Sequence, residues 1–146
     1  EYLVTIVNYS NNAKVQCAGV NIDDEPYTKT SFRSGGTNFA IGLQTIEKEM
    51  MKIEDLYQPI LVFMSDGGCA NGDDDMKRIG ENFSDRNLQV FVLGFGDKCD
   101  QDRLRKLSEK ADGKFLFGAN AAELREEFEE ISSIITKTQK NLNSKF

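Results

Sequence analysis

Short apolar runs alternate along the chain with segments whose apolar residues recur at helical spacing. Residues 3–7, 60–64 and 90–93 are continuous, largely β-branched or aromatic runs, typical of strands buried on both faces. Residues 13–17 alternate apolar with polar side chains and follow a turn cluster at 8–12, which predicts a strand exposed on one face. These first two runs predict a hairpin at a sheet edge, and a short last strand is expected at 115–117.

Each later strand is next to a segment with helical periodicity. Apolar residues step by three and four from Phe39 to Ile53, and similar faces are predicted after Asp73, Asp100 and Asn120, which we expect to cap their helices. Buried strands separated by amphipathic helices predict an α/β fold, with a mostly parallel sheet covered on both faces and an antiparallel edge strand. We expect a single domain over residues 1–136 and a polar tail or linker over 137–146.

Length and composition narrow the class of protein. The chain has 146 residues, the size of one domain, and a formal net charge of −6. This acidic balance argues against a nucleic-acid partner and against an anionic membrane surface, since both need clustered Lys and Arg. No apolar run approaches the roughly 20 residues of a membrane span, and the absence of histidine excludes His-based catalysis and His-ligated zinc.

The three cysteines indicate a reducing compartment. Cys17, Cys69 and Cys99 are odd in number, and no two of them are spaced as C-x-x-C. Neither a disulfide framework nor a thiolate metal site is indicated. We therefore expect reduced thiols in an intracellular, cytoplasmic protein.

Candidate chemistry lies in the glycine-rich loops at 34–38, 65–68 and 94–97. In an open parallel sheet, ligands bind beyond the carboxyl ends of the strands. One loop supplies the hydroxyl of Thr37 and another the carboxylate of Asp66, two hard oxygen donors that suit Mg²⁺, Mn²⁺ or Ca²⁺. Taken singly, Thr37 is equally typical of a helix cap, Asp66-Gly67 of a turn, and Gly35-Gly36 of a helix entry.

The order of two motifs resembles the von Willebrand factor type A family. S-G-G-T-N-F-A-I-G-L opens a helix, and I-L-V-F-M-S-D-G-G follows after a linker. The resemblance implies a Rossmann-like sheet that carries a metal-ion-dependent adhesion site on three loops. Thr37 and Asp66 match two of the family's metal ligands, and an acidic side chain of a protein partner completes the coordination. The loop glycines Gly35, Gly36, Gly67 and Gly68 then lie where the partner binds.

The chain departs from this family pattern at its beginning. The family's first loop carries D-x-S-x-S, which is absent here, and its first strand is central in the sheet. We therefore expect an N-terminally incomplete domain that lacks roughly 25–40 residues, the size of a strand and its crossover helix. Binding of Mg²⁺, Mn²⁺ or Ca²⁺ is conditional on that absent motif.

Three functions from different classes follow from these observations. The first is a protein-binding module without enzymatic activity, which recognises an acidic side chain through a divalent cation. The second is a metal-free scaffold domain within a larger assembly. The third is a Mg²⁺-dependent phosphoryl-transfer enzyme on the same type of sheet, which is disfavoured because only Ser65 and Cys69 lie near Asp66 and no histidine can activate them.

Overall fold

The computed structural model of the protein describes residues 1–24 and 36–145. Two strands form an antiparallel hairpin and three further strands form a parallel sheet in the order β3-β4-β5. The strands are β1 (Leu3–Tyr9), β2 (Ala13–Asn21), β3 (Ile60–Ser65), β4 (Gln89–Phe95) and β5 (Lys114–Gly118). The predicted hairpin and the predicted parallel strands are both confirmed, and among the described residues the hairpin is a two-stranded sheet of its own.

Helices connect or follow the strands and cover both faces of the parallel sheet. They are α1 (Phe39–Met50), α2 (Asp73–Asn82), α3 (Gln101–Glu109) and α4 (Ala121–Asn143). One core cluster joins side chains of α1, α2 and α3 to β3 and β4, and a second cluster joins α4 to β4 and β5. This arrangement confirms the predicted α/β class with helices on both faces. Helix α4 continues through most of the polar segment predicted as a tail, and the domain boundary itself stays a prediction.

The two sheets are linked by side chains rather than by a strand ladder. Within the described ranges, no ladder joins β1 to β3. The Tyr9 hydroxyl donates to the carbonyl of Met64 at 2.7 Å, and the Tyr57 hydroxyl donates to Glu1 at 2.9 Å. These contacts bring the carboxyl ends of β1 and β3 to one edge of the molecule and their amino ends to the other.

Strand β1 corrects one expectation from the sequence. Its run was predicted to be buried on both faces, yet every residue of β1 retains partial exposure. The physical reason is that β1 is paired on one side alone among the described residues, so its other edge is not shielded by a neighbouring strand.

The helix caps follow the sequence at two of three predicted positions. Asp100 accepts from the backbone N–H of Arg103, and Asn120 accepts from that of Glu123, both at 3.0 Å. The prediction that Asp73 caps α2 is wrong, because Gly72 takes the cap position with a left-handed φ of +100°. Asp73 is instead the first helical residue, and its carboxylate pairs with Arg103 at 2.8 Å.

Candidate functional site

The structure brings the loops of Thr37 and Asp66 together. A Cβ atom at Gly67 would lie 3.7 Å from Oγ1 of Thr37, so the hydroxyl is next to the residue that follows Asp66. Both side chains are exposed at the carboxyl ends of the strands. Two oxygen donors of the predicted type are therefore neighbours, and their role as metal ligands stays a prediction.

The N-terminus of α1 is capped by Asn38 rather than by Thr37. Asn38 Oδ1 accepts the backbone N–H of Ile41 at 3.1 Å, in the usual geometry of an N-cap. The hydroxyl of Thr37 is thus not used to cap the helix, which removes the simplest structural explanation for a threonine at this position. A ligand role for Thr37 is compatible with the local backbone.

Close packing explains two of the loop glycines. A Cβ at Gly36 would overlap the side-chain amide of Asn11 in the β1–β2 turn, and a Cβ at Gly68 would lie 2.9 Å from Cβ of Asp100. The backbone N–H of Asn38 also donates to the Ser10 carbonyl at 3.0 Å. The loop of Thr37 therefore rests on the hairpin turn, and the loop of Asp66 rests on the start of α3. The fourth predicted loop residue, Gly35, lies outside the described residues.

Asp66 follows a strand end that is held by buried polar contacts. The Ser65 hydroxyl accepts the backbone N–H of Gly67 at 3.2 Å and turns the chain at the end of β3. Burial, opposed in part by a hydrogen bond with Ser65 and reinforced by the negative charge of Asp66, raises the pKa of the Tyr9 hydroxyl far above its usual range. Tyr9 is therefore neutral at physiological pH and remains a hydrogen-bond donor to Met64.

The third glycine-rich loop reaches the same edge. The backbone N–H of Asp100 donates to the Gly67 carbonyl at 3.4 Å. Burial, followed by the negative charges of Asp100 and Asp66, raises the pKa of the Cys99 thiol. The loop after β4 thus packs beside the loop of Asp66, as expected for carboxyl ends of adjacent parallel strands.

Two residues that support these loops were not identified from the sequence. Arg103 donates from Nε to the carbonyl of Cys69 at 2.6 Å and from Nη2 to that of Asn71 at 2.8 Å. Asn71 bonds in turn to Asn38 and Ala40 at the start of α1. These partners are separated by more than thirty positions along the chain, so no local spacing pattern marks them.

The donor set fits part of a divalent-cation site. A hydroxyl and a carboxylate are the hard oxygen ligands that Mg²⁺ and Ca²⁺ prefer, and both ions take six or more ligands. Across residues 1–24 and 36–145, no three His, Cys, Asp or Glu side chains converge as a metal cluster. Thr37 and Asp66 thus present two oxygens of the type that such an ion binds, and further ligands would be needed to complete a site.

The structure also describes the state of the cysteines and the hydrophobicity of the helices. Cys17, Cys69 and Cys99 are all free thiols and partly buried. Among the helices in the described ranges, none combines the length and the hydrophobicity required to span a bilayer.

Comparison with solved structures shows the same fold. The protein BatB from Bacteroides thetaiotaomicron matches with a TM-score of 0.70 and 14% identity, over 92% of this chain and 80% of that one. A von Willebrand factor type A protein from Catenulispora acidiphila matches with a TM-score of 0.68 and 17% identity, over 88% of this chain and 32% of that one. A third match is proximal thread matrix protein 1 from the mussel byssus, in a form with a zinc-occupied MIDAS motif. Its TM-score is 0.64 and its identity 16%, over 84% of this chain and 33% of that one.

Comparison by sequence identifies the family. An uncharacterized protein of Synechocystis sp. is 31% identical over 98 residues, which are 66% of this chain and 23% of that protein. The chain thus spans about a quarter of the length of this curated relative. The model of the von Willebrand factor type A domain matches residues 2–133. The chain therefore belongs to the von Willebrand factor type A family.

Proposed function

We propose that the protein is a binding module in which Thr37 and Asp66 hold a divalent cation, Mg²⁺ by preference, with Mn²⁺ or Ca²⁺ as substitutes. The cation links the module to an acidic side chain of a protein partner. Domains of this family are in general protein-interaction modules. The observation that carries the proposal is the position of the Thr37 hydroxyl, which lies beside Gly67. This hydroxyl is not needed to cap α1, because Asn38 caps that helix.

The side chains of the site have distinct tasks in this mechanism. The Asp66 carboxylate supplies negative charge to the cation, and the Thr37 hydroxyl supplies a neutral oxygen. When bound, the cation supplies positive charge that a carboxylate of the partner can approach. The chain carries a net charge of −6, so without a cation it repels an acidic partner.

The neighbouring nucleophiles support a binding role over catalysis. The Ser65 side chain is buried and its hydroxyl accepts from Gly67, while the Cys69 thiol donates to Asn71 at 3.0 Å. The chain has no histidine to activate either group. We propose accordingly that the protein is not an enzyme, that its partner is neither nucleic acid nor membrane, and that it acts in a reducing intracellular compartment.

Cation-dependent stability tests the proposed site. We expect Mg²⁺ or Mn²⁺ at about 100 times its Kd to stabilise the full-length protein by about 2.7 kcal/mol, because a ligand that binds only the native state shifts the unfolding equilibrium. Asp66→Ala should abolish this rise in melting temperature, measured by thermal-shift titration in EDTA and in each metal. Asp74→Ala is the matched control, since it removes an exposed carboxylate from the first turn of α2.

The comparison of the two variants decides the outcome. Loss of the metal response in Asp66→Ala together with its retention in Asp74→Ala supports the site. An equal response of wild type and Asp66→Ala, or the absence of any response in wild type, contradicts it. If wild type shows no response to metal, a metal-free scaffold becomes the better-supported function.

A further inference from the structure

We infer that Asn71 is a positioning residue for the candidate cation site, acting through Asn38 to hold the Thr37 loop against the Asp66 loop. This inference rests on the proposed function. Asn71 lies on the loop that begins with Asp66, and Asn38 directly follows Thr37. The two amides therefore join the two ligand-bearing segments, directly beside Thr37 on one of them.

The side chain of Asn71 makes two hydrogen bonds to the start of α1, and it also accepts the Cys69 thiol within its own loop. Its Nδ2 donates to Asn38 Oδ1 at 3.0 Å, and its Oδ1 accepts the backbone N–H of Ala40, also at 3.0 Å. Both hydrogen bonds that the structure describes between the two segments are thus made by Asn71. Asn38 Oδ1 accepts from Ile41 as well, so the bridge is tied to the first turn of α1.

The other end of the bridge is fixed by Arg103. Its guanidinium donates to the carbonyls of Cys69 and Asn71 and pairs with the Asp73 carboxylate. Its central carbon lies 5.8 Å from the ring centroid of Phe39, the first residue of α1. Arg103 therefore holds the backbone of the Asp66 loop, while Asn71 sets the position of that loop relative to Thr37.

This arrangement separates an effect on ligand geometry from an effect on stability. Asn71 is exposed, and hydrogen bonds of exposed side chains contribute little to the free energy of unfolding. Metal affinity depends on ligand distances within a few tenths of an ångström, and loss of a residue that orients the ligands typically weakens binding by about 10–100-fold. If Asn71 only stabilised the fold, its loss would not weaken metal binding far more than it lowers the free energy of unfolding.

A titration with Mn²⁺ alone, followed by calorimetry or by the spin resonance of free Mn²⁺, tests the inference on the full-length protein. We expect Asn71→Ala to weaken Mn²⁺ binding by about tenfold or more. Its melting temperature without metal should fall by no more than about 3 °C. Asn141→Ala, an exposed asparagine near the end of α4, is the matched control and should bind as wild type does.

A second variant tests whether Asn71 acts through Asn38. Asn38→Ser can still cap α1 but is too short to reach the amide of Asn71. We expect it to weaken Mn²⁺ binding as Asn71→Ala does, and the double variant to be no worse than either single one, because both remove the same bridge. This comparison also keeps the inference testable if Asn71→Ala does not fold.

Three results would overturn the inference in distinguishable ways. If Asn71→Ala and Asn38→Ser bind Mn²⁺ as wild type does while Asp66→Ala does not, the cation site stands and the positioning role is wrong. If the losses in the two variants simply add, each residue acts separately and the bridge is not the cause. If wild type does not bind Mn²⁺, the proposed function fails and the positioning role fails with it.

Discussion

Phe39→Ala is expected to destabilise the protein by about 3–5 kcal/mol, the usual cost of truncating a buried aromatic side chain. Phe39 is fully buried, with 0% exposure, at the first position of α1. Its ring meets those of Phe63 and Tyr9 edge to face, with centroids 5.1 Å and 6.3 Å away. The truncation removes both ring contacts and leaves a cavity between α1 and β3, so the melting temperature should fall by about 10 °C or more.

The matched control for this prediction is Phe128→Ala on α4. Phe128 is 41% exposed, so its truncation creates no enclosed cavity and should cost about 1 kcal/mol or less. Urea unfolding monitored by circular dichroism measures both variants. Equal losses of stability in the two variants would show that the aromatic cluster of Tyr9, Phe39 and Phe63 is not a packed core.

Arg78→Met is expected to lower the melting temperature by roughly 5 °C or more, since it leaves two buried carboxylates without their counter-charge. Glu47 and Asp75 are 6% and 7% exposed and come from facing helices, α1 and α2. Arg78 Nε donates to both Glu47 oxygens at 3.0 Å, and Nη2 donates to Glu47 at 2.7 Å and to Asp75 at 2.9 Å. Hydrogen bonds to both carboxylates raise the pKa of the Arg78 guanidinium, which keeps its charge at any pH where the protein is folded.

Lys52→Met provides the comparison for a surface ion pair. Lys52 is exposed and pairs with Glu49 three positions away in the chain, so its removal should change the melting temperature by less than about 2 °C. Differential scanning calorimetry of both variants gives the two values. A loss in Arg78→Met as small as that in Lys52→Met would contradict the conclusion that the two buried carboxylates depend on this arginine.

Helix caps could be predicted from the sequence where the cap depends only on neighbouring residues. Asp100 and Asn120 act as caps because a cap needs only the residue and the two or three that follow it. Thr37 and Asp66 were both expected beyond the carboxyl ends of the strands, where open parallel sheets bind their ligands, and the structure brings their loops together. The motif order indicated the family, which the match over residues 2–133 confirms.

The remaining features depend on contacts between distant segments. Asp73 was expected to cap α2, but its carboxylate is paired with Arg103, thirty positions away in the sequence, and Gly72 sets the helix entry. The bridge between Asn38 and Asn71 spans 33 positions. No periodicity encodes such pairs, because an exposed asparagine is equally typical of any loop. They become visible only when the packing of the helices on the sheet is known.

Thr37 and Asp66 are proposed to hold the same cation. Anomalous scattering from crystals of the full-length protein grown with Mn²⁺ locates such an ion directly. We predict one peak at coordinating distance, about 2.2 Å, from Oγ1 of Thr37, with the Asp66 carboxylate bound to the same ion either directly or through one water. A peak at another site in saturating Mn²⁺, or none near Thr37 and Asp66, would contradict the account.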